Sequence, residues 1–243
     1  GGRIFKLEEH LDRLFNSLTY MRIDPGMSKE HMAGLTMEVL EANLPLIDES
    51  DDYWVSQRIT RGERSSADPK PTVIVECLPL PFAQRAKYYV DGLPIMVPSI
   101  RRTPPDSVSP RAKLHHYINF VLADLEVKAQ APDSWAVLLD VNGNICEGNG
   151  ANIFIVKDGV LFTPREQYVL AGISRQTTIE LALELGIELR ETDIDLFDAY
   201  TADEAFVTST SFCICPISSV NGATISDGGV PGPVTDRLQK AYS

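Results

Sequence analysis

Three features of this 243-residue chain put reactive groups where chemistry could use them. Lys113 brings a primary amine between a proline-rich segment and the start of a helical pattern. Glu147 sets a carboxylate inside Cys146-Glu147-Gly148-Asn149-Gly150-Ala151-Asn152. Gly172-Ile173-Ser174-Arg175 opens an amphipathic pattern, and the unpaired N–H groups of a helix start favour an anion such as phosphate. Each has an ordinary alternative. Most lysines lie with the stem along the surface and the head in water, a glutamate before glycine is by default a solvated turn residue, and helices commonly start at glycine or serine for capping alone. His115 and His116 follow the lysine, but adjacent helical residues face different sides, so they imply no shared metal site. Cys77, Cys146, Cys213 and Cys215 lack the CxxC spacing of a zinc or redox centre and read as reduced, mostly buried thiols in a cytoplasm.

Hydrophobic periodicity places the elements that hold these groups. Leu11, Leu14, Phe15 and Leu18 recur at helical spacing over residues 8–20, as do Met32, Leu35, Val39 and Leu40 over 28–43. The β-rich runs 53–60 and 72–78, separated by a polar turn, read as neighbouring antiparallel strands. Residues 98–110 hold four prolines and little periodicity, so an extended linker and a domain boundary are expected there. Beyond it the pattern predicts a helix over 114–129, strands over 135–140 and from 145 turned by Asn142-Gly143, and a strand over 152–156 turned by Asp158-Gly159. A helix over 173–185 ends at Gly186, strands follow over 205–208 and 214–220, and a last helix covers 233–242.

Composition bounds the function. Lysine and arginine number 22 against 34 aspartates and glutamates, a formal net charge of −12. That field repels nucleic-acid backbones and anionic membrane surfaces, so an anionic ligand must be held by local positive groups. Apolar stretches fall far short of the ~18 residues that span a bilayer, and no signal-like segment opens the chain, so a cytoplasmic protein is expected.

Taken together, several phrases occur in one order: Ala112-Lys113, the run from Asp140 to Phe154 around Glu147, Lys157-Asp158-Gly159, Thr163-Pro164, Leu170-Ala171-Gly172-Ile173-Ser174-Arg175, Glu204-Ala205-Phe206 with Thr208-Ser209-Thr210, and Gly232-Pro233-Val234-Thr235. This series resembles the class IV, fold type IV pyridoxal-phosphate aminotransferases: branched-chain and D-amino-acid aminotransferases, (R)-amine transaminases and aminodeoxychorismate lyases. The resemblance begins at Leu7-Glu8-Glu9-His10-Leu11-Asp12-Arg13-Leu14. It implies an α/β (α+β two-domain) fold, with a small N-terminal α/β domain over 1–98 that lacks its first strands. A linker over 99–110 and a larger cofactor-binding domain over 111–243, with a β-barrel-like core, complete it.

By the same resemblance Lys113 forms the internal aldimine with the aldehyde of pyridoxal 5′-phosphate and later moves the substrate α-proton, which requires a deprotonated amine. Glu147 bonds the pyridine nitrogen and keeps the ring an electron sink. Arg13, the N–H groups of Ile173 and Ser174, and the hydroxyls of Ser209 and Thr210 hold the phosphate. Tyr117 bonds the ring hydroxyl. A homodimer is implied, taking an amino donor and a 2-keto acid, without nucleic acid, membrane or metal.

Substrate choice falls to the first domain. Period-two alternation puts Ser56 and Arg58 on one side of a strand, and Arg58 either binds a substrate carboxylate through its planar fork or faces solvent. Residues 63–68 lack the Arg-x-His pair of D-amino-acid aminotransferases, and Ser56 stands where many amine transaminases carry glutamate. The linker is similar to the amine transaminases and the second half to the branched-chain enzymes. Aminodeoxychorismate lyase-type elimination and cofactor binding without turnover are the alternatives to transamination.

Overall fold

The computed structural model describes residues 3–48, 52–63, 65–66, 70–225 and 229–243. They fall into two compact units that divide between Pro81 and Phe82. Arg64, Ala67 and Asp68, part of the departure from the D-amino-acid pattern, lie outside the described residues.

In the first unit, α1 (Leu7–Met21) buries Leu11 and Leu18. Helix α2 (Lys29–Asn43) starts at Ser28, whose hydroxyl accepts from the His31 N–H at 3.2 Å, an N-cap that satisfies one of the helix's orphan donors. Met32, Thr36 and Leu40 recur every four residues along α2 and are buried, the single stripe that an amphipathic helix presents to a core. Strands β1 (Tyr53–Ile59) and β2 (Val73–Pro79) pair antiparallel with Ser56 opposite Glu76. Gln57 donates to the Thr36 hydroxyl at 3.0 Å, so one face of the hairpin lies on α2 while Ser56, Arg58 and Glu76 share the other.

The second unit begins with α3 (Phe82–Asp91) and β3 (Leu93–Met96), continues through α4 (Ile118–Gln130), and then runs through the hairpins β4 (Trp135–Leu139), β5 (Ile145–Gly148), β6 (Ala151–Lys157) and β7 (Val160–Thr163). After α5 (Ile173–Glu184) come β8 (Leu189–Glu191), α6 (Leu196–Thr201), β9 (Glu204–Ser209), β10 (Cys213–Val220), β11 (Ala223–Thr224) and α7 (Pro233–Tyr242). Strands β10, β3, β4, β5, β6 and β9 pair in a closed ring, since β9 bonds both β6 and β10. This is the barrel-like core that the resemblance implies. Alternation sorts its residues: Ala151, Ile153 and Ile155 of β6 fill the interior with Val137, Val207 and Ile217. Phe154 and Val156 point outward and pack with Phe206 against α5 and α7.

Two sequence expectations shift in place. The small domain was expected over 1–98 and the boundary in the proline-rich linker. The units divide earlier because β3 inserts in parallel between β4 and β10, while Tyr88 and Tyr89 of α3 meet the Phe212 ring at 6.2 and 6.4 Å. The linker itself lies along β4, with the Arg102 N–H donating to Leu139 O at 2.9 Å. The helix expected from residue 114 starts at Ile118, so Lys113, His115 and His116 occupy an irregular segment ahead of it. Of the thiols, Cys146 and Cys215 are buried, Cys77 is half-buried and Cys213 exposed.

Candidate active site

A bulge in β5 aims the central carboxylate. Leu139 pairs with Ile145 and Val137 with Gly148, so two steps on β4 oppose three on β5. The extra residue breaks the strict alternation: Ile145 faces the barrel interior, yet Glu147 pairs with Asn152 and shares that residue's outer face. Glu147 is buried there with both oxygens engaged. Arg102 Nε donates to Oε1 at 2.8 Å, and the Leu170 N–H donates to Oε2 at 3.0 Å. The Arg102 guanidinium in turn lies 5.0 Å from the centre of the Phe120 ring. Burial pushes the Glu147 carboxyl above its ordinary range, while the Arg102 charge, the Leu170 N–H and the Lys113 charge pull it back. The Lys113 amine is thus close enough to act on Glu147, from an exposed position.

Asn152 sets the next wall. Its amide donates to Leu170 O at 3.0 Å, so the Leu170 peptide is gripped through both its N–H and its C=O. The chain then passes Gly172, where an added Cβ would sit 2.1 Å from Asn152 Oδ1; only glycine allows that approach. Gly172 is also the N-cap of α5 and offers no side-chain cap, which leaves the first-turn N–H groups of Ile173 and Ser174 for a ligand. Ser174 is buried and accepts from the Tyr242 hydroxyl at 3.1 Å. Arg175 is held inward by Pro164 O at 3.0 Å and Glu191 at 2.6 Å.

Tyr117 is the N-cap residue of α4 and packs its ring 6.1 Å from Phe120. Ser209 and Thr210 lie at the β9–β10 turn, where the Ser209 hydroxyl accepts from the Phe212 N–H at 3.1 Å and Thr210 is exposed. Glu147, Ile173 and Ser174 therefore gather around the Leu170–Gly172 segment, and the Lys113 charge acts on Glu147. Arg13, Ser56 and Arg58 belong to the first unit. There Arg13 is half-buried on α1, 3.4 Å from His10 Nδ1. Arg58 pairs with Glu76, which also accepts from the Ser56 hydroxyl at 2.9 Å. Sequence reasoning missed Arg102 and Asn152 as members of the cluster. Arg102 sits in a proline-rich stretch that read as linker, and only the register of the barrel shows what Asn152 touches.

Comparison with known proteins gives the family. The family description "Amino-transferase class IV" matches residues 1–220. A putative branched-chain-amino-acid aminotransferase of Methanocaldococcus jannaschii is 38% identical over 247 residues, covering 99% of this chain and 82% of that protein. The branched-chain-amino-acid aminotransferase of Escherichia coli K12 is 34% identical over 251 residues, covering 100% of this chain and 78% of that protein. The crystal structure of the branched-chain amino acid aminotransferase from Thermobaculum terrenum, in its PLP-bound holo form, superposes with a TM-score of 0.86 at 29% identity, covering 98% of this chain and 77% of that one. The chain belongs to the class IV aminotransferases of fold type IV, and it is an enzyme. Among the described residues no helix is long and apolar enough to cross a membrane.

The residues present suit pyridoxal phosphate. A buried, paired carboxylate, an exposed amine within electrostatic reach of it, and an uncapped start of a twelve-residue helix match a pyridine nitrogen, an aldehyde and a phosphate respectively.

Proposed function

We propose that this enzyme transfers the amino group of a branched-chain L-amino acid to a 2-oxo acid, with pyridoxal 5′-phosphate as carrier. The observation that carries the reading is the Glu147 carboxylate, buried, paired with Arg102 and acted on by the Lys113 charge. The branched-chain preference rests on the relatives' printed activities.

When bound, the cofactor supplies an aldehyde that accepts the amino group and a ring that takes up electrons as the α-proton leaves. Lys113 Nζ is the base that removes the α-proton and returns it, a role that needs the neutral amine at the moment of transfer. Glu147 holds a proton at the ring nitrogen. Arg102 and the Leu170 N–H fix the carboxylate's orientation before any ligand arrives, so no reorganisation is needed during reaction. The N–H groups of Ile173 and Ser174 would hold the phosphate, with Ser209, Thr210 and Arg13 as its further donors. Tyr117 donates to the ring hydroxyl. Arg58, with Ser56 beside it, receives the substrate carboxylate.

The enzyme acts as a cytoplasmic homodimer in this reading. The buried thiols of Cys146 and Cys215 fit a reducing compartment. Ile118, Val121, Leu122 and Leu125 recur at helical spacing on α4 and are exposed, an apolar stripe of the kind a subunit interface covers. The test is a half-reaction screen: holoenzyme is mixed with single amino donors and the visible absorbance of bound pyridoxal phosphate is followed. L-Leucine, L-valine and L-isoleucine should bleach it and release the matching 2-oxo acids. No bleaching with any of the three, alongside bleaching with D-alanine or a primary amine, overturns the substrate class.

A further inference from the structure

One buried hydroxyl has no role in the cluster as described so far. Thr208 is 1% exposed, and its Oγ1 has no hydrogen-bond partner among the described residues. The other five buried threonines are all satisfied: Thr36 bonds Met32 O, Thr163 bonds Ile153 O, Thr177 bonds Ile173 O, Thr178 bonds Ser174 O and Thr235 bonds Glu204. A buried donor left unmade costs stability, so an orphan in this company calls for a ligand.

The register shows where that hydroxyl lies. Glu147 pairs with Asn152 across β5 and β6, and Asn152 pairs with Thr208 across β6 and β9. Directly opposed residues share a face, so the three side chains form one row on the outer wall of the barrel, with ~10 Å between its ends at two strand spacings. Asn152, at the centre, abuts Gly172 at the start of α5. Independent ties fix the far end. Glu204 at the start of β9 accepts from Val234 and Thr235 at the start of α7, while Tyr242 at the end of α7 donates to Ser174 in the first turn of α5. Helix α7 therefore runs along β9 from Glu204 toward Thr208 and finishes at the α5 N-terminus. Thr208, next to Asn152 in the row, is therefore on the side of the barrel where α5 begins.

We propose that Thr208 is a further phosphate-binding residue, its hydroxyl joining the Ile173 and Ser174 N–H groups to hold a phosphomonoester at the start of α5. The inference rests on the pyridoxal-phosphate reading and deepens it. The row then carries a division of labour, with Glu147 serving the ring nitrogen at one end and Thr208 the phosphate at the other.

Thr208→Val keeps the shape and deletes the hydroxyl. In full-length apoprotein the variant should melt higher, by about 2–6 °C, because an unsatisfied polar group is gone. Binding of pyridoxamine 5′-phosphate, which makes no bond to Lys113, is read by tryptophan fluorescence. It should weaken about tenfold in Thr208→Val, the worth of one hydrogen bond to a charged group, and recover in Thr208→Ser. Pyridoxamine without its phosphate should bind wild type and Thr208→Val alike. Equal pyridoxamine-phosphate affinity in wild type and Thr208→Val overturns the proposal, and so does equal weakening toward both ligands. If wild-type apoprotein binds no pyridoxamine phosphate at all, the cofactor reading itself fails, which is a separate result.

Discussion

The Arg102–Glu147 pair in the second unit leaves 13% and 6% of its side chains exposed, whereas the Arg58–Glu76 pair in the first leaves 49% and 27%. Removing one partner of a buried pair strands an uncompensated charge and costs ~3–5 kcal/mol, while an exposed pair is worth only ~0–1 kcal/mol. Glu147 is consequently locked: Arg102, the Leu170 N–H and the β5 bulge all specify its position. Arg58 is exchangeable, since trading Glu76 for another carboxylate costs little. Invariant chemistry suits the first arrangement and substrate recognition the second.

The largest effect expected within the buried cluster is on rate. Lys113→Ala should lower transamination by about 10⁴-fold, the upper range for losing a positioned acid–base group. Because Lys113 is exposed, the variant should fold normally. Single-turnover rates with L-leucine check this, and a variant retaining wild-type rates sinks the assignment.

Arg102→Met probes the lock itself and should cost about 3–5 kcal/mol in apoprotein stability. The pH dependence has a definite sign. Glu147 already has its folded pKa raised by burial, and losing Arg102 removes the largest force pulling it back. A carboxyl raised in the folded state contributes stability that is fully present below its unfolded pKa of ~4.3 and is lost as pH rises through the folded value. The variant's deficit should therefore be smallest near pH 4 and grow toward pH 8 in urea titrations. A deficit independent of pH would mean that Arg102 acts through packing on Phe120 alone.

These two sites also mark what was legible in the sequence. Lys113 and Glu147 stood out because their motifs are local, and the helices and hairpins around them follow from apolar period and turn residues: Asn142-Gly143, Asp158-Gly159 and the Gly186 cap were all visible. Arg102 was not, because its partner lies 45 residues away and its own neighbourhood is proline-rich. The bulge in β5 was equally hidden. Strict alternation over residues 145–148 puts Glu147 inside the barrel, and only pairing with two neighbouring strands reveals the extra residue. Helix α3 and strand β3 went unassigned since their cores are the rings and strands of the distant residues 135–220. The start of α4 was placed four residues early because Leu114 and Tyr117 extend the apolar pattern without extending the helix.

A third perturbation separates scaffold from site. Glu204 is buried and caps α7, accepting from the Val234 N–H at 2.9 Å and from the Thr235 N–H and hydroxyl at 2.7 Å each. Glu204→Ala leaves those donors without an acceptor and should cost about 2 kcal/mol, visible as a Tm lowered by about 4–8 °C. Turnover per folded holoenzyme should stay at the wild-type value. A fall in kcat without a fall in Tm would place Glu204 in the site.

The exposed pair gives the smallest stability effect and the sharpest contrast. Arg58→Ala should change apoprotein stability by less than about 1 kcal/mol, because the Glu76 carboxylate it leaves behind remains solvated. Its signature should be kinetic: if Arg58 leaves Glu76 to take the substrate's carboxylate, KM for the 2-oxo acid rises about tenfold or more with kcat nearly unchanged, as expected when binding is lost equally from ground and transition states. Glu76→Gln should act in the opposite direction, releasing Arg58 from its competitor and lowering KM. If neither substitution moves KM, Arg58 belongs to the hairpin's solvent face, and the exchangeable pair is a surface ion pair with no part in choosing the substrate.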